Sequence, residues 1–368
     1  MKIKVMTVFG TRPETIKMAP LVKELQKREE METIVCVTAQ HRQMLDQVLD
    51  AFQIKPDYDL DIMKQGQTLS DITVRVLKGL EEVIEKVKPD IVLVHGDTTT
   101  TFAGALAAFY HQIPIGHVEA GLRTYNKYSP YPEEINRQFV GLVADMNFAP
   151  TERSKQNLLD EGKKEETIYV TGNTAIDALQ TTVNEQFEDE ITEWAKGSRL
   201  IVLTAHRREN LGEPMRNMFR AIKRIVEKYD DIKVVYPVHL NPIVVNTANE
   251  ILGDCDKVKL IKPLEVLEFH NLLNKSYLIL TDSGGIQEEA PSLGKPVIVL
   301  RDTTERPEGV EAGTLKLAGT EEETIYNMID ELLSCQDVYD GMSNASNPYG
   351  DGKASARIAD AIIEYFNK

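Results

Sequence analysis

The residues best suited to ligand chemistry lie between positions 277 and 313. A short apolar run at 278–280 is typical of a buried parallel strand, and the sequences DSGG and IQEEA follow it, the second predicting the start of a helix. Gly284 and Gly285 let the backbone approach a ligand closely, and the unpaired N–H groups of a helix start favour an anion. Together with Ser283 they predict a phosphate site. Glu289 falls one turn further on, where its carboxylate can take two sugar hydroxyls.

A second apolar run, at 296–300, ends in the charged loop RDTTERP, which contains Arg306. This loop lies at the carboxyl end of the second predicted strand, as DSGG lies at the carboxyl end of the first. Phosphate-type and cation-type groups on two successive strand ends favour a nucleotide site.

The first predicted strand of the chain runs into the turn GTRPE, and Lys17 comes a little over one helical turn later. The turn has one glycine where a dinucleotide fingerprint needs three, so NAD or FAD bound in the usual way is disfavoured. Pro13 suits the first position of a helix, and Arg12 and Lys17 on either side of it can both face a diphosphate. The alternative is that Arg12 pairs with Glu14 and that Lys17 is a solvated helix residue.

Three acidic residues follow successive predicted elements in the first half of the chain. Asp97 comes after the third strand, Glu119 after the fourth, and Glu133 opens the next helix. Each has an ordinary alternative: Asp97 can cap a helix, Glu119 can pair with Arg123, and acids are common in first turns because of the helix dipole. Carboxylates clustered in a cleft separate into acid and base roles. Three at one sheet edge therefore predict acid–base chemistry.

Basic and polar residues end other strands. The sequence HRREN follows an apolar strand directly, and its His206 can donate to a phosphate or a leaving-group oxygen; the alternative is a surface basic turn. The sequence YPVH, which ends at His239, repeats this arrangement more weakly. The sequence AQHRQ after the second strand is an unusually polar segment, equally compatible with a helix cap.

The composition is that of an ordinary globular protein, with 42% apolar and 27% charged residues. The 42 basic and 58 acidic residues give a net charge of −16, which disfavours nucleic acid or an anionic membrane as a partner. No apolar run approaches the length of a membrane span. The N-terminal MKIKVMTVFG predicts a strand and not a signal peptide. We therefore expect a cytoplasmic protein.

The cysteines and the remaining histidines predict no further chemistry. Cys36, Cys255 and Cys335 are scattered and form no CxxC pair, so neither a disulfide framework nor a zinc site is supported. No His, Asp and Glu trio has the spacing of metal ligands, so we predict no metal site. The histidines interpreted as structural are His95, His111, His117 and His270.

Apolar strand-like runs alternate with amphipathic segments of helix length, the pattern of βα units on a parallel sheet. The predicted strands are residues 3–9, 33–38, 91–95, 113–118, 146–149, 168–170, 200–204, 233–236, 258–261, 278–280 and 297–300. The predicted helices include residues 13–28, 42–52, 70–87, 98–110, 132–144, 214–229, 322–334 and 354–366. At 368 residues the chain has room for two domains. We predict an α/β protein of two Rossmann-like, doubly wound domains, residues 1–172 and 173–352, that face a ligand cleft at the strand carboxyl ends.

The motifs as a set resemble those of one family. In chain order they are GTRPETIKMAPL, AQHRQML, HGDTTTT, GHVEAGLRT, YPEEINRQ, TGNTAIDAL, HRREN, SGGIQEEAPSLGKPV and RDTTERPE. Together they resemble the non-hydrolysing bacterial UDP-N-acetylglucosamine 2-epimerases, from the first strand to the C-terminal NPYGDG. The resemblance implies a fold of the glycosyltransferase-B type, with a C-terminal helix at 353–368 that packs back on the first domain. It also implies a homodimer, no metal and no nicotinamide or other cofactor.

The activity that this resemblance implies is reversible interconversion of UDP-GlcNAc and UDP-ManNAc. The C2 proton is removed while UDP leaves C1, which gives 2-acetamidoglucal, and UDP then adds back with protonation of the opposite face. Such chemistry needs carboxylates at the sugar and cations around the departing UDP. The product is expected to supply ManNAc for cell-surface polysaccharide.

Residue roles carry over by motif. The resemblance makes Asp97, Glu119 and Glu133 the acid–base candidates, with His206 as a further catalytic residue, and it leaves open which carboxylate is the acid and which the base. The implied diphosphate contacts are Arg12, Lys17, His206, Ser283, Gly284, Gly285 and Arg306. Further implied substrate contacts are Arg137, Asn210, Glu289 at the ribose, and Leu264 and Phe269 near the uracil.

The resemblance also implies a second UDP-GlcNAc that binds beside the active site as an activator. Its expected contacts are Gln40, His41, Gln43, Glu133, Arg207 and His239. Some members have Arg where this chain has Gly66, so one activator contact is expected to be missing.

Three other functions fit part of this pattern. A UDP-sugar-dependent glycosyltransferase of the same fold would share the second-domain site, but it needs an acceptor pocket and gives no reason for three acids in the first domain. A hydrolysing epimerase would release free ManNAc and UDP. A non-catalytic nucleotide-sugar sensor would not depend on Asp97 or Glu119.

Overall fold

A computed structural model of the chain describes residues 2–40, 42–304 and 306–367, with the side chains of Gln43 and Met44 outside the description. The strands are β1 (Ile3–Phe9), β2 (Met31–Val37), β3 (Tyr58–Asp59), β4 (Ile91–His95), β5 (Ile115–Val118), β6 (Met146–Ala149), β7 (Ile168–Val170), β8 (Arg199–Thr204), β9 (Ile232–Pro237), β10 (Val258–Ile261), β11 (Leu278–Thr281), β12 (Val297–Val299) and β13 (Leu315–Leu317).

The helices lie between these strands and after the last of them. They are α1 (Arg12–Lys27), α2 (Arg42–Ala51), α3 (Leu69–Val87), α4 (Thr99–Tyr110), α5 (Glu133–Val143), α6 (Glu152–Asp160), α7 (Thr174–Thr182), α8 (Glu190–Ala195), α9 (Glu213–Lys228), α10 (Pro242–Leu252), α11 (Val266–Lys275), α12 (Gly284–Glu289), α13 (Pro307–Glu311), α14 (Glu322–Ser334), α15 (Gln336–Ser343) and α16 (Ala354–Phe366). Short 3-10 helices cover Glu165–Thr167, Arg208–Asn210 and Ala290–Leu293. Among the helices in the described ranges, none has both the length and the apolar character that crossing a bilayer requires.

The chain forms two compact units, each built on its own parallel sheet. One unit contains the residues up to Thr181 together with the segment from Tyr349 onward, and the other is Thr182–Pro348. In the described part of the chain the first sheet has the order β3-β2-β1-β4-β5-β6-β7, and the second has the order β10-β9-β8-β11-β12-β13. Counted from β1 and from β8, both contain the order 3-2-1-4-5-6 of a doubly wound sheet. The predicted α/β, Rossmann-like architecture is therefore confirmed.

The order of strands reverses at one place in each sheet, between β1 and β4 in the first and between β8 and β11 in the second. Parallel pairing sets Val8 beside Val94 in the first sheet and Thr204 beside Thr281 in the second. The turns that follow these strand pairs diverge to opposite faces of the sheet and leave a crevice, where ligands of such folds bind. The residues predicted to do chemistry follow these strands or their direct neighbours.

The strands are apolar because helices cover both faces of each sheet. Every residue of β4 is buried, as is every residue of β11. The strands β3 and β13 were not predicted. β3 has only two residues, too few to show a pattern, and β13 has three.

Helix α1 begins one residue earlier than the sequence suggests. Thr11 occupies the N-cap position and forms a capping box with Glu14, so the helix starts at Arg12. Pro13 is therefore its second residue and not its first, although both positions tolerate a missing N–H.

The C-terminal helix α16 is part of the first unit. The backbone N–H groups of Ala354 and Ser355 donate to Asp177 of α7, at 3.2 and 2.7 Å. Arg28, at the end of α1, pairs with Asp360 of α16 at 2.9 Å. Because Asp177 caps α16, α7 packs with the first unit, which extends past residue 172 to Thr181.

Candidate active site

Glu14 ties two turns of the first unit together at the reversal point of its sheet. One carboxylate oxygen accepts from the N–H groups of Gly10 and Thr11, at 3.1 and 2.8 Å. The other accepts from the hydroxyls of Thr98, the N-cap residue of α4, and of Thr101 in its first turn, at 2.7 and 3.1 Å. Burial raises the pKa of Glu14, and these hydrogen bonds oppose that effect. The turn that carries the half-buried Arg12 is thereby held against the turn that carries Asp97.

Lys17 pairs with Glu119, the residue that follows β5. The same Glu119 oxygen accepts from Asn173 Nδ2 at 3.0 Å and lies 3.9 Å from His95 Nε2. The Lys17 side chain is 13% exposed, so the alternative of a solvated helix residue is wrong. Arg123, the other partner considered for Glu119, donates instead to Glu161 at 2.7 and 2.8 Å.

Glu119 is held in an unusual backbone conformation. Its φ is 64°, in the left-handed region that costs a non-glycine residue about 1–2 kcal/mol. A Cβ built on Gly96 would lie 3.6 Å from Glu119 Oε1, which places this carboxylate next to the turn of Asp97. Such strain is concentrated at functional sites.

Asp97 shares a cation with a second, buried carboxylate. Arg137 Nε donates to Asp97 at 2.7 Å, and Arg137 Nη1 donates to Glu134 at 3.0 Å. Asn136 Nδ2 donates to the Asp97 carbonyl at 2.8 Å. Asp97 does not cap α4, because Thr98 holds the N-cap position and accepts from Thr101 N. Asn136 and Arg137 therefore join helix α5, whose first residue is Glu133, to the Asp97 turn.

Burial raises the pKa of Glu134, but hydrogen bonds from the N–H groups of Thr124 and Tyr125 and from Gln138, with the charge of Arg137, outweigh burial and leave the pKa below its usual value. The fully buried Glu134 is thus an ionised anchor for Arg137.

Two buried histidines lie beneath these carboxylates. Burial lowers the pKa of His95 and of His117 to about 4. His117 Nε2 lies 2.7 Å from the carbonyl oxygen of Gly96, to which it can only donate. Both rings are neutral at pH 7, and a neutral His117 supports the turn that leads into Asp97.

In the second unit, Asp282 organises the reversal point. Its Oδ2 accepts from the N–H groups of His206 and Arg207, at 2.9 and 2.8 Å, and from Asn210 Nδ2 at 3.1 Å. Asn210 is buried, and its amide also donates to the Leu300 carbonyl at 3.2 Å, so it ties the turn after β8 to β12. The His206 ring stacks on the exposed His239 ring with centroids 5.7 Å apart.

Two guanidinium groups flank the backbone of the predicted phosphate site. A Cβ built on Gly284 would lie 3.7 Å from Arg207 Nη2 and 3.9 Å from Arg306 Nη2. Ser283 is the N-cap residue of α12, and Arg306 also pairs with the buried Glu288. Arg207, which the resemblance assigns to the activator, thus lies beside Gly284. This surface carries positive charge, and because Gly284 has no side chain, a ligand can come close to its backbone.

Glu289, at the end of α12, lies under Gly285. A Cβ built on Gly285 would be 3.8 Å from Glu289 Oε1, and Glu289 Oε2 lies 3.7 Å from His270 Nε2. His270 is buried, and its Nδ1 is 2.7 Å from the hydroxyl of Thr182. The glycines and the carboxylate thus share one wall of the second unit. Leu264 and Phe269 pack partly buried on the adjacent core cluster.

The other residues that the resemblance assigns to the activator include Gln40, His41 and Gln43. Gln40 Oε1 accepts from Thr100 Oγ1 at 3.2 Å, in helix α4. His41 and the side chain of Gln43 lie outside the described residues. Gly66 sits in a turn with φ of 72°, a conformation in which arginine would be strained.

Comparison with known proteins identifies the family. A family model described as UDP-N-acetylglucosamine 2-epimerase matches residues 23–363. The UDP-N-acetylglucosamine 2-epimerase of Bacillus subtilis is 66% identical over 365 residues, which cover 99% of this chain and 96% of that protein. The chain belongs to the UDP-N-acetylglucosamine 2-epimerase family.

Solved structures of this family agree with that assignment. The UDP-GlcNAc 2-epimerase of Neisseria meningitidis bound to UDP-GlcNAc is 52% identical, with a TM-score of 0.89 over 98% of this chain and 100% of that one. The Methanocaldococcus jannaschii enzyme in complex with UDP-GlcNAc and UDP is 36% identical, with a TM-score of 0.80 over 99% and 100%. These similarities support an isomerase over a glycosyltransferase of the same fold.

Three residues of this epimerase escaped the sequence reasoning: Glu134, Asn173 and Asp282. Each is at least nine-tenths buried and contacts a predicted site residue through a hydrogen bond or an ion pair. Glu134 and Asn173 lie inside the family motifs YPEEINRQ and TGNTAIDAL, and Asp282 directly precedes SGGIQEEAPSLGKPV. For Glu134 and Asp282 the available signal was a polar residue next to a predicted ligand contact, but the partner of each residue is visible only in the fold.

Proposed function

We propose that this epimerase interconverts UDP-GlcNAc and UDP-ManNAc by elimination and re-addition of UDP. The C2 proton of the sugar is not next to a carbonyl, so its removal is coupled to departure of UDP. A carboxylate takes the proton, the C2–H electron pair becomes the C1=C2 double bond of 2-acetamidoglucal, and the C1–O pair leaves on UDP. In the second half, the UDP oxygen attacks C1 while C2 is protonated on the opposite face.

The observation that carries this proposal is the pairing of carboxylates with cations in the first unit, Lys17 with Glu119 and Arg137 with Asp97. A carboxylate that exchanges a proton with C2 must be ionised when it acts as a base, and an adjacent cation favours that form. We assign proton transfer to Asp97, Glu119 and Glu133.

The second unit supplies the other requirement, a place for the negative charge of departing UDP. We assign the diphosphate to Arg12 of the first unit and to His206, Ser283, Gly284, Gly285 and Arg306. In the same proposal Glu289 binds the ribose, and the 264–269 segment lies at the uracil. Lys17 favours the ionised form of Glu119. Donors and cations already in position stabilise developing charge with little reorganisation.

Incubation with UDP-GlcNAc in D2O, without any acceptor, tests the route. We expect UDP-ManNAc that carries deuterium at C2, and deuterium at C2 of the recovered UDP-GlcNAc. Unlabelled UDP-ManNAc contradicts elimination through the glucal. Free ManNAc with UDP would instead identify a hydrolysing enzyme, and no turnover a sensor.

Variants test the residue roles. Glu119→Gln and Lys17→Met should each lower kcat by roughly 10²-fold, the scale of general acid–base catalysis. Lys155→Met is the matched control, since it removes a 2.8 Å pair with the exposed Glu165 and should leave kcat unchanged. If Lys17→Met and Lys155→Met behave alike, Lys17 has no role in proton transfer.

We also propose that a second UDP-GlcNAc activates the enzyme. The two ligand sets predicted from the sequence adjoin each other in the second unit, since His239 stacks on His206 and Arg207 lies beside Gly284. With UDP-ManNAc as sole substrate, turnover should begin after a lag that a trace of UDP-GlcNAc removes, and His239→Ala should lengthen the lag. An immediate linear rate without UDP-GlcNAc contradicts activation.

Assembly and cellular role are further proposals that rest on the family. We propose a homodimer, which sedimentation would report as twice the 41.4 kDa of one chain. We also propose that it acts in the cytoplasm and that its product supplies ManNAc for cell-surface polysaccharide. A strain without the enzyme should then lack ManNAc in its envelope, and fractionation should recover the enzyme with cytoplasmic proteins.

A further inference from the structure

Asp282 is a buried carboxylate whose hydrogen bonds are unevenly distributed. Its side chain is fully buried at the end of β11. Oδ2 accepts from three donors in the turn after β8: the backbone N–H groups of His206 and Arg207 and the amide of Asn210. Oδ1 is buried, and no donor among the described residues forms a hydrogen bond with it. Burying a carboxylate oxygen without a hydrogen bond costs folding free energy, so a functional explanation is needed.

The group that faces this oxygen is the ring of His206. His206 Nδ1 lies 3.3 Å from Asp282 Oδ1, on the buried side of a ring whose side chain is 43% exposed. The approach follows from the sheet, because β8 and β11 are neighbours and Thr204 is paired with Thr281. His206, two residues after Thr204, therefore lies next to Asp282, the residue directly after Thr281.

We infer that Asp282 is a positioning residue that holds His206 with its proton on Nδ1 and directs Nε2 outward to the ligand. The inference rests on the proposed function, in which His206 serves the departing diphosphate. With the Nδ1 proton facing Oδ1 across this 3.3 Å approach, the site at which His206 gains or gives a proton is Nε2. A carboxylate behind a histidine fixes both the tautomer and the orientation of the ring. Asp282 itself does not touch the substrate.

The surroundings of His206 act on its pKa in both directions. Burial lowers the pKa of His206, and the nearby His239 and Arg207 lower it further. Asp282 and Glu209 act in the opposite direction. Since the charge of Asp282 raises the pKa of His206, removing that charge should make His206 lose its proton at a lower pH.

The tautomer of His206 can be measured without any activity. In 15N-histidine-labelled protein at pH 8, the His206 signals are those lost in His206→Asn. We expect Nδ1 to carry the proton and Nε2 to be bare. A proton on Nε2, or an even mixture of tautomers, overturns the inference. Because this experiment uses the unaltered protein, it stands even where a variant fails to fold.

Kinetics then separate positioning from a structural role. In Asp282→Asn, the side-chain amide takes the place of Oδ1 and donates to His206 Nδ1, which selects the opposite tautomer. We expect kcat to fall about 100-fold with little change in KM, and the alkaline limb of the kcat profile to move to lower pH. Asp254→Asn, at an exposed loop position, is the control and should leave both unchanged.

The double variant His206→Asn/Asp282→Asn decides whether Asp282 acts through His206. We expect its kcat to equal that of His206→Asn within twofold, whereas losses that multiply overturn the inference. Full activity in His206→Asn would remove His206 from the proposed function and with it the catalytic part of this inference, while the tautomer result would still report on the Asp282 contact.

Discussion

Replacing Arg137 with methionine removes the cation that two acidic side chains share. The Arg137 side chain is 11% exposed and donates to Asp97 at 2.7 Å and to Glu134 at 3.0 Å. Methionine keeps much of the volume and the unbranched shape, so packing is altered little. The perturbation is therefore mainly electrostatic.

The size of the effect follows from what each acid retains. Removing one partner of a buried ion pair typically costs about 3–5 kcal/mol, because a buried charge is left uncompensated. Glu134 keeps hydrogen bonds from Thr124 N, Tyr125 N and Gln138, at 3.0, 3.0 and 2.9 Å. Asp97 is 23% exposed, so water can replace part of the lost contact. We expect a loss near the lower bound, about 3 kcal/mol.

The assay is urea unfolding followed by far-UV circular dichroism at pH 7.5, with Arg216→Met as the control. Arg216 donates to Glu250 at 2.7 and 2.6 Å, but the side chains are 35% and 57% exposed. An exposed pair contributes little to stability because solvent screens its charges, so this variant should unfold almost like the unaltered protein. Equal losses in the two variants would refute the reasoning, since burial would then not decide the cost.

Two further predictions concern the backbone near Glu119 and the buried histidines. Gly121→Ala should cost about 2–4 kcal/mol of unfolding free energy, because φ is 89° and the new Cβ would lie 2.2 Å from Ser154 O. The control is Gly162→Ala, where φ is 81° and no described atom lies within 4 Å of the new Cβ; it should cost about 1 kcal/mol. Equal losses in the two variants would contradict the proposed clash at Gly121. For His117, the folded pKa of about 4 lies below the unfolded value of ~6.5, so its stabilisation is present above that value and is lost as pH falls toward 4. Between pH 7.5 and 5 the unaltered protein should lose about 2 kcal/mol more than His117→Asn; parallel pH profiles of the unfolding free energy would contradict this.

The strands and helices were predicted from the local pattern of apolar and polar residues. The runs that became β1, β4 and β8 are apolar over lengths typical of a strand, and segments such as α9 show the spacing of one buried face. These signals need only neighbours in the chain, because a strand or an amphipathic helix repeats every two or 3.6 residues. The same reasoning missed β3, whose two residues are too few to repeat, and it also missed β13.

The site residues were predicted from their positions at the carboxyl ends of strands. Residues such as Asp97, His206 and Gly284 follow apolar runs, and in a parallel sheet such ends lie at one edge. The sequence could not assign their partners. Lys17 is 102 residues from Glu119 and Asp282 is 76 from His206, and each pair meets because strand order returns a later strand to the side of an earlier one.

By itself, then, the sequence determined that this protein has two βα domains, that its strand ends carry acids in the first and groups predicted to bind phosphate in the second, and that it resembles the UDP-N-acetylglucosamine 2-epimerases. Tertiary structure alone decided that Lys17 faces a carboxylate, that Arg137 joins Asp97 to Glu134, and that Asp282 lies behind His206. The physical reason is one of scale. Periodicity and turn chemistry act over a few residues, whereas an ion pair or a hydrogen bond depends on distances of a few ångströms between segments that only the packed sheets bring together.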